Sequence, residues 1–316
     1  MLLQEKSWHL CFTVSHSSKN KHFPINGRLA ERRESAASVF ADDFSFISER
    51  MTQMQKEAEK FAQSSLMEGM FSIRAVLRAG EERISDRKIE KILFDREKAK
   101  SKAKELSFLR AKAKEHGFPI EFTDAAKIDE LTVGNSHGGI VAFCTERSVP
   151  SVSEMNIREN GFYVMLEGIE DPYNFGYCLR SLYAAGVDGI LVGPRNWFSA
   201  AGVVCRASAG ASELFEIAEG DVVEIVRIFK EKGYLVLAAD KTDDAVPIYD
   251  TKVQKPVLLV VGGEKRGITR AVLSECDRVV CLDYGRRFGA ALSAASAASI
   301  LAFEIFRQNR GEGGEA

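Results

Sequence analysis

The chain has 316 residues, of which 45% are hydrophobic and 28% are charged, and its formal net charge is −2. This length predicts about two domains, and the composition is ordinary for a soluble globular protein, which excludes a wholly disordered or membrane-embedded chain. A net charge near zero gives no overall sign of a polyanionic partner, so any nucleic-acid surface must be local.

The cysteines are isolated, with no C-x-x-C pair and no Cys/His cluster at zinc spacing. Such cysteines are typical of reduced, buried side chains and predict a cytoplasmic protein. No apolar run is long enough to span a membrane, so we expect no membrane partner, and no residue pattern indicates a metal. The six are Cys11, Cys144, Cys178, Cys205, Cys276 and Cys281.

Residues 1–66 lack strong periodicity, apart from a polar helical pattern over 46–65, and we expect an N-terminal extension that is partly disordered or helical. The first residues have no apolar region of a secretory signal, whereas their low acid content leaves an organelle transit peptide open. The favoured interpretation is an extension without a targeting role, or a true start at Met51 or Met67.

A small α/β domain is predicted for residues 67–147 because helical and strand patterns alternate there. Residues 148–160, with Pro150 and several serines, are predicted to be a linker. The expected elements are a helix over 72–78, a strand over 89–94, a long helix over 95–116, a strand over 120–122, a helix over 125–131 and a strand over 139–143.

The predicted helix over 95–116 is the most basic stretch of the chain. A row of cations on one helix face neutralises RNA phosphates. A solvated helix face explains the same pattern, since Glu97, Glu105 and Glu115 offset the charge. The basic residues are Arg96, Lys98, Lys100, Lys102, Lys104, Arg110, Lys112 and Lys114.

From residue 161 to 310, fully apolar strands alternate with helices, which predicts a parallel sheet covered on both faces. The strands are expected over 162–166, 189–192, 234–238, 257–261 and 278–282, and the helices over 174–185, 200–207, 222–230 and 292–306. Such a sheet binds its ligand at the carboxyl ends of the strands. No G-x-G-x-x-G or Walker loop follows the first strand, which counts against a nucleotide-dependent oxidoreductase or an NTPase.

Three loops after strands carry residues that are suited to ligand binding or catalysis. In the first, Asn174 lies where a helix N-cap belongs, Gly176 allows a close backbone approach, and Arg180 is suited to hold a phosphate or help activate a hydroxyl. A capped helix with a surface arginine explains the same residues. The second loop contains Gly262, Gly263, Glu264 and Gly267. The third, over 280–289, leads into a helix rich in Ala and Ser, which equally fits a tightly packed core helix.

Taken in this order, the three elements resemble the SpoU/TrmH-type RNA ribose 2′-O-methyltransferases of the SPOUT superfamily. The Asn-x-Gly-x-x-x-Arg motif is matched by Asn174, Gly176 and Arg180, and the Gly-x-Glu-x-x-Gly motif by Gly262, Glu264 and Gly267. The region over 67–143, which closes with residues 137–142, is similar to the family's substrate-binding domain.

The resemblance implies a SPOUT domain with a C-terminal trefoil knot, S-adenosylmethionine as cofactor, rRNA or tRNA as partner, and a homodimer. It implies catalytic roles for Arg180, Asn174, Glu264 and Ser293, and cofactor contacts by Gly262, Gly263, Gly267, Leu282 and Leu292. Within the substrate-binding domain it favours RNA contacts by Arg74, Lys98, Lys102, Lys112 and His137.

The third motif departs from the family pattern. Where Ser-Leu-Asn-x-Ser is usual, the chain has Ala291, Leu292, Ser293, Ala294 and Ala295, so that serine replaces the asparagine. The preceding loop has Asp283-Tyr284 in place of an apolar Pro-Met, and Arg286-Arg287 follow. This change leaves two alternatives open: an RNA-binding protein with weak or no methyltransferase activity, and a methyltransferase that acts on a base.

Overall fold

The computed structural model describes residues 66–132, 137–169, 171–194, 197 and 200–310. The expected N-terminal extension, with its helical pattern over 46–65 and the possible start at Met51, lies outside the described residues except for Leu66. None of the helices in the described part of the chain combines the length and the hydropathy that crossing a bilayer requires.

A four-stranded sheet with three helices forms the first part of the described chain, which agrees with the small α/β domain that the sequence pattern predicts. Helices α1 and α2 pack on one face of the sheet and α3 on the other. The sheet order is β1-β4-β2-β3, in which only β2 and β3 are parallel. The elements are β1 Leu66–Glu68, α1 Gly69–Glu81, β2 Ile89–Asp95, α2 Ala103–His116, β3 Ile120–Thr123, α3 Ala125–Leu131 and β4 Ile140–Cys144.

The single long helix predicted over 95–116 is wrong in its first half. Residues Arg96–Ala99 form a 3-10 turn, and α2 begins only at Ala103. The buried Asp95 carboxylate accepts a hydrogen bond from the amide of Glu97 at 3.0 Å. A side chain that bonds the backbone in this way competes with continuous helix. The basic residues over 96–114 therefore do not form one uninterrupted stripe.

A second sheet contains seven strands, and all its neighbours are parallel, which confirms the predicted parallel sheet. Its order is β7-β6-β5-β10-β8-β11-β9. The sequence pattern does not predict β7 and β9, because they are short and contain charged residues or proline. The strands are β5 Phe162–Glu167, β6 Gly189–Val192, β7 Glu216–Glu219, β8 Leu235–Ala239, β9 Val246–Pro247, β10 Val257–Gly262 and β11 Arg278–Cys281.

Helices cover both faces of the parallel sheet because its strands are apolar on both sides. Along β5, Phe162 and Val164 pack with α4 and α8, whereas Tyr163 and Met165 pack with α6. This alternation follows from the two-residue period of a strand. The trefoil knot stays a prediction. The helices are α4 Pro172–Ala184, α5 Ala201–Ala207, α6 Val222–Glu231, α7 Arg270–Leu273 and α8 Ala294–Asn309.

The segment predicted as a linker, 148–160, contacts both the small domain and the domain with the parallel sheet. The Ser148 amide donates to Asp86 Oδ1 at 2.9 Å, and Ser151 forms a capping box on the 3-10 turn Val152–Glu154. The side chain of Val152 is buried beside α6. The domain boundaries themselves stay a prediction, but the connection between the domains is held by specific contacts.

A buried ion pair also joins the two domains. Arg87 Nε lies 3.1 Å from Glu213 Oε2, with the side chains only 4% and 3% exposed. Arg87 further donates to the carbonyl oxygen of Thr145 at 2.8 Å. A charge buried this deeply is tolerated because its partner is present, and removal of one partner leaves the other charge uncompensated.

We therefore expect Glu213→Ala to lower the free energy of unfolding by about 3–5 kcal/mol. The matched control is Glu82→Ala, since the Arg78–Glu82 pair is exposed and such pairs contribute less than about 1 kcal/mol. Urea denaturation of the purified variants measures both. Equal losses in the two variants would show that the buried pair does not hold the domains together.

Candidate functional site

A pocket of about 210 Å³ lies at the carboxyl ends of β8, β10 and β11, the edge at which a parallel sheet binds ligands. Its walls come from the loops after these strands and from the start of α8. The predicted residues Gly262, Gly263, Glu264, Gly267, Leu282 and Leu292 all line it. The structure therefore brings together the glycine loop and the third motif, as expected.

The glycine loop is packed against other backbone more closely than any side chain allows. A Cβ at Gly263 would lie closer than 3.0 Å to the carbonyl oxygen of Gly168, and one at Gly262 closer than 3.0 Å to the backbone of Gly267. The Gly263 amide donates to the carbonyl oxygen of Glu167 at 2.8 Å, and the Gly267 amide donates to that of Gly263 at 2.9 Å. Gly263 is thus required where the loops after β5 and β10 meet, and Gly262 is required by the tight turn of the loop after β10 itself.

Glu264 connects two helices at the pocket. Its Oε1 accepts a hydrogen bond from Asn174 Nδ2 at 3.0 Å and another from the amide of Ala294 at 3.2 Å. The first amides of a helix lack intrahelical partners and carry partial positive charge, so a carboxylate at the start of α8 is favourable. Within the described part of the chain no hydrogen bond reaches Oε2, which leaves that oxygen for a ligand.

The sequence pattern predicts Asn174 as the N-cap of α4, and this prediction is wrong. Asp171 is the cap: its Oδ1 accepts from the amide of Tyr173 at 2.8 Å, and Pro172 takes the first helical position. Proline suits that position because it has no amide to satisfy. Asn174 is therefore the third residue of the helix, and its side chain is free to bond Glu264.

Gly176 and Arg180 have different surroundings. A Cβ at Gly176 would lie 2.5 Å from the Cβ of Ala207 and 3.0 Å from the carbonyl oxygen of Val204, so this glycine lets α4 pack closely on α5. Arg180 is exposed, forms no hydrogen bond or ion pair with a described residue, and does not line the pocket. It lies roughly 9 Å along the helix axis from Asn174.

Ser293 caps α8. Its Oγ accepts a hydrogen bond from the amide of Ser296 at 3.2 Å and lies 3.0 Å from the Ser296 hydroxyl. Serine is among the preferred N-cap residues. The residue that replaces the family asparagine thus has a structural role at the edge of the pocket, and it is not among the residues that line it.

Three lining residues with charged side chains or a phenol are not identified by the motifs: Asp240, Lys241 and Tyr284. The hydroxyl of Tyr284 accepts a hydrogen bond from the amide of Leu292 at 3.2 Å, and Lys241 Nζ lies 5.3 Å from the centre of its ring. Asp240 and Lys241 directly follow β8, so the rule that ligands bind at the carboxyl ends of strands could have found them.

Two cysteines near the pocket are not activated nucleophiles. Burial, and then the charge of Glu264, raises the pKa of the Cys178 thiol to about 12. Burial, and then the charge of Asp283, raises the pKa of Cys281, which lines the pocket. Both thiols are therefore protonated at neutral pH, whereas the thiolate is the reactive form.

Three of the residues predicted to contact RNA are accessible. Arg74 is exposed on α1, with its guanidinium 4.4 Å from the centre of the Phe108 ring. Lys98 and Lys102 are partly exposed beside the turn at Gly138 and Gly139. These three belong to the small domain and do not line the pocket at the parallel sheet.

Lys112 and His137 are held by protein contacts, which disfavours the predicted RNA contacts. Lys112 Nζ lies 2.7 Å from carboxylate oxygens of both Glu81 and Glu115. His137 is 4% exposed, and its Nδ1 accepts from the amide of Gly139 at 3.0 Å. Its Nε2 lies 2.9 Å from Asp129 Oδ1 without the alignment of a hydrogen bond.

Comparison with known proteins gives consistent matches to both domains. Residues 161–303 match the SpoU rRNA Methylase family, and residues 66–150 match the domain described as RNA 2′-O ribose methyltransferase substrate binding. The putative TrmH family tRNA/rRNA methyltransferase YacO of Bacillus subtilis is 27% identical, over 71% of this chain and 90% of its own length. The 23S rRNA (guanosine-2′-O-)-methyltransferase RlmB of Shewanella oneidensis is 29% identical, over 65% of this chain and 85% of its own.

Among solved structures, the AdoMet-bound rRNA methyltransferase from Sinorhizobium meliloti has the same fold. It superposes with a TM-score of 0.64 at 20% identity, and the match covers 79% of this chain and 93% of the other. The SpoU methyltransferase AviRb from Streptomyces viridochromogenes, in complex with AdoMet, superposes with a TM-score of 0.60 at 22% identity, over 77% and 89% of the two chains.

The packing at Gly176 yields a test with an internal control. We expect Gly176→Ala to lower the free energy of unfolding by about 1–3 kcal/mol, because the new methyl group overpacks the contact between α4 and α5. Gly80, also helical, has no neighbour within 4 Å of an added Cβ, so Gly80→Ala should stabilise the protein by up to about 1 kcal/mol. Thermal and urea unfolding measure both. A stabilising Gly176→Ala would refute the packing role.

Proposed function

The chain belongs to the SpoU rRNA methylase family, and we propose that it methylates a ribose 2′-hydroxyl of structured RNA, either rRNA or tRNA, with S-adenosylmethionine as methyl donor. The observation that carries this proposal is the pocket at the carboxyl edge of the parallel sheet. There, the residues of the second and third motifs form one wall, and Glu264 bonds Asn174 of the first.

The chemistry of the pocket fits this cofactor. Leu282, Leu292 and Leu301 offer apolar surface to an adenine ring, and the carboxylates of Asp240 and Glu264 suit ligand hydroxyl groups and positive charge. S-adenosylmethionine supplies, when bound, a methyl group activated by a positively charged sulfur. We propose that the backbone of the lining residues holds it, at Gly262, Gly263, Gly267, Leu282 and Leu292.

Arg180 is proposed to act on the ribose hydroxyl. A guanidinium stays protonated at physiological pH, so it does not serve as a general base. A positive charge beside a hydroxyl favours its deprotonated form and lowers its pKa, and the planar group can hold a neighbouring phosphate in two hydrogen bonds. Glu264 and Asn174 are proposed to shape the site, and Ser293 to keep the start of α8 in place.

We further propose a homodimer, because α4 and α8 present apolar side chains to solvent next to Arg180. Tyr177, one turn before Arg180, is exposed, as are Ile300, Phe303 and Phe306 on α8, which packs beside α4. Exposed apolar patches of this kind mark interaction sites. A second copy would cover this face, and Arg180 at its edge would lie beside the RNA ribose that reacts at the partner's pocket. A cytoplasmic location is proposed with it, supported by the free cysteines of the described chain.

The reaction is tested by incubating the protein with S-adenosylmethionine and total RNA from cells that lack its gene, followed by mass spectrometry of the digested nucleosides. A 2′-O-methylated nucleoside is the expected product. A base-methylated nucleoside would instead support the base-directed alternative. Cofactor binding without any methylated product would support an RNA-binding protein with little activity.

We expect Arg180→Ala to reduce methylation by about 100-fold or more, since loss of a positioned charge-stabilising group has effects of this size. Cofactor affinity by isothermal titration and the melting temperature should stay unchanged, because Arg180 neither lines the pocket nor bonds a described residue. Arg227→Ala, which removes another exposed arginine on α6, is the control. Full activity of Arg180→Ala would refute the proposed mechanism.

The dimer is tested by Phe303→Asp and by subunit mixing. Phe303→Asp should convert dimer to monomer in light scattering, because it places a charge in an apolar interface. If Arg180 acts across the interface, a mixture of Arg180→Ala and Glu264→Ala chains should regain activity that neither variant has alone. No recovery in mixed dimers would place Arg180 and Glu264 in the same subunit's site.

A further inference from the structure

A second concavity lies beside the proposed cofactor pocket, in the loop between β11 and α8. It is shallow and largely open to solvent, and it shares Tyr284 and Leu292 with the first pocket. The loop is the part of the chain that departs from the family pattern. The lining residues are Asp283, Tyr284, Gly285, Arg286, Phe288 and Leu292.

Two side chains of this loop concavity expose surfaces on which a base can stack. Phe288 is 55% exposed and touches Tyr284 only at a tilted angle, with ring centres 6.2 Å apart. Arg286 is exposed and forms no hydrogen bond or ion pair with a described residue. An exposed aromatic ring and a free planar guanidinium are the two surfaces on which proteins stack unpaired bases.

The wall between the two pockets is fixed by its own contacts. The Tyr284 hydroxyl accepts from the Leu292 amide, which closes the loop, and the Lys241 ammonium lies over the Tyr284 ring. A group in the loop concavity would therefore be held next to the cofactor pocket by a positioned aromatic wall. The Asp283 carboxylate adds an acceptor for an exocyclic amino group.

We propose that the loop concavity binds one unstacked nucleobase of the RNA substrate, at or next to the methylated nucleotide. The inference rests on the proposed function and deepens it. When a ribose reacts at the cofactor pocket, its own base or the adjacent base must lie on the neighbouring surface. A base that has left the stack of the RNA needs a new stacking partner there. Phe288 supplies the stacking face, and Arg286 stacks or bonds the base edge.

The first test compares variants at positions whose exposure is similar. Phe288→Ala and Arg286→Ala should each lower kcat/KM for RNA by about tenfold or more, the size of a lost base stack. Phe288→Trp should retain activity, because it preserves the stacking face, whereas Phe288→Leu should not. The controls are Tyr249→Ala, since Tyr249 is 53% exposed and lines neither pocket, and Arg287→Ala, adjacent to Arg286 but outside the lining. Both should have smaller effects.

Cofactor affinity separates this proposal from a general effect on the loop. Isothermal titration with S-adenosylmethionine should give the same affinity for Phe288→Ala as for the parent protein. A parallel loss of cofactor affinity would overturn the proposal, since the loop would then only shape the first pocket. Equal activities of Phe288→Leu and Phe288→Trp would also overturn it.

A second assay requires no methyl transfer, so that its result is independent of the proposed function. A short single-stranded RNA that carries one 2-aminopurine should lose fluorescence on binding, because this base is quenched when it stacks. The quenching should disappear in Phe288→Ala and persist in Phe288→Trp. Quenching that is unchanged in Phe288→Ala would exclude a base at this site, even if the parent protein were inactive as a methyltransferase.

Discussion

The site depends on a close approach of two backbone loops at the carboxyl edge of the parallel sheet. The loop after β10 lies against the loop after β5, and at Gly263 no side chain fits between them. Because β5 and β10 are hydrogen-bonded neighbours in register, their ends reach this edge together. The first and second motifs, far apart in sequence, are thereby placed side by side.

Glu264 extends the same constraint to the third motif. Its carboxylate bonds Asn174 on α4 and the first amide of α8, so the starts of both helices are joined through one oxygen. This contact explains how the pocket keeps its shape although the family asparagine is replaced by Ser293. The helix start is held by a serine cap and by a carboxylate, both of which satisfy amides that would otherwise lack partners. The replaced asparagine is therefore not required to build the pocket.

The substrate-binding domain is joined to the pocket by buried contacts. Ala201 and Cys205 of α5 lie in the core of the small domain, while Gly176 packs α4 on the other side of the same helix. Arg147, at the start of the connecting segment, donates to the carbonyl oxygens of Ser212 and Phe215. A short helix thus contributes to both cores, and the basic side chains of the small domain have a defined direction relative to the site. Such an arrangement suits recognition of RNA by shape.

The sequence by itself determined the parallel sheet and most of the pocket. Burial along a strand and a turn at glycine are properties of neighbouring residues. Five strands of the large domain, and the lining residues Gly262, Gly263, Glu264, Gly267, Leu282 and Leu292, were therefore predictable from the sequence. It did not determine the contacts between distant segments. Asn174 and Glu264 are 90 residues apart, and only the order of the strands brings them together.

Tertiary structure also decided the details in which local patterns compete. Asp171 rather than Asn174 caps α4 because Asp-Pro is the better helix start, and the buried Asp95 interrupts the basic helix by bonding the backbone. Arg180 does not line the pocket of its own chain, and Tyr284 and Phe288 form a second concavity from a loop without regular periodicity. Each outcome depends on which groups meet in space, and a linear pattern records only the spacing of residues along the chain.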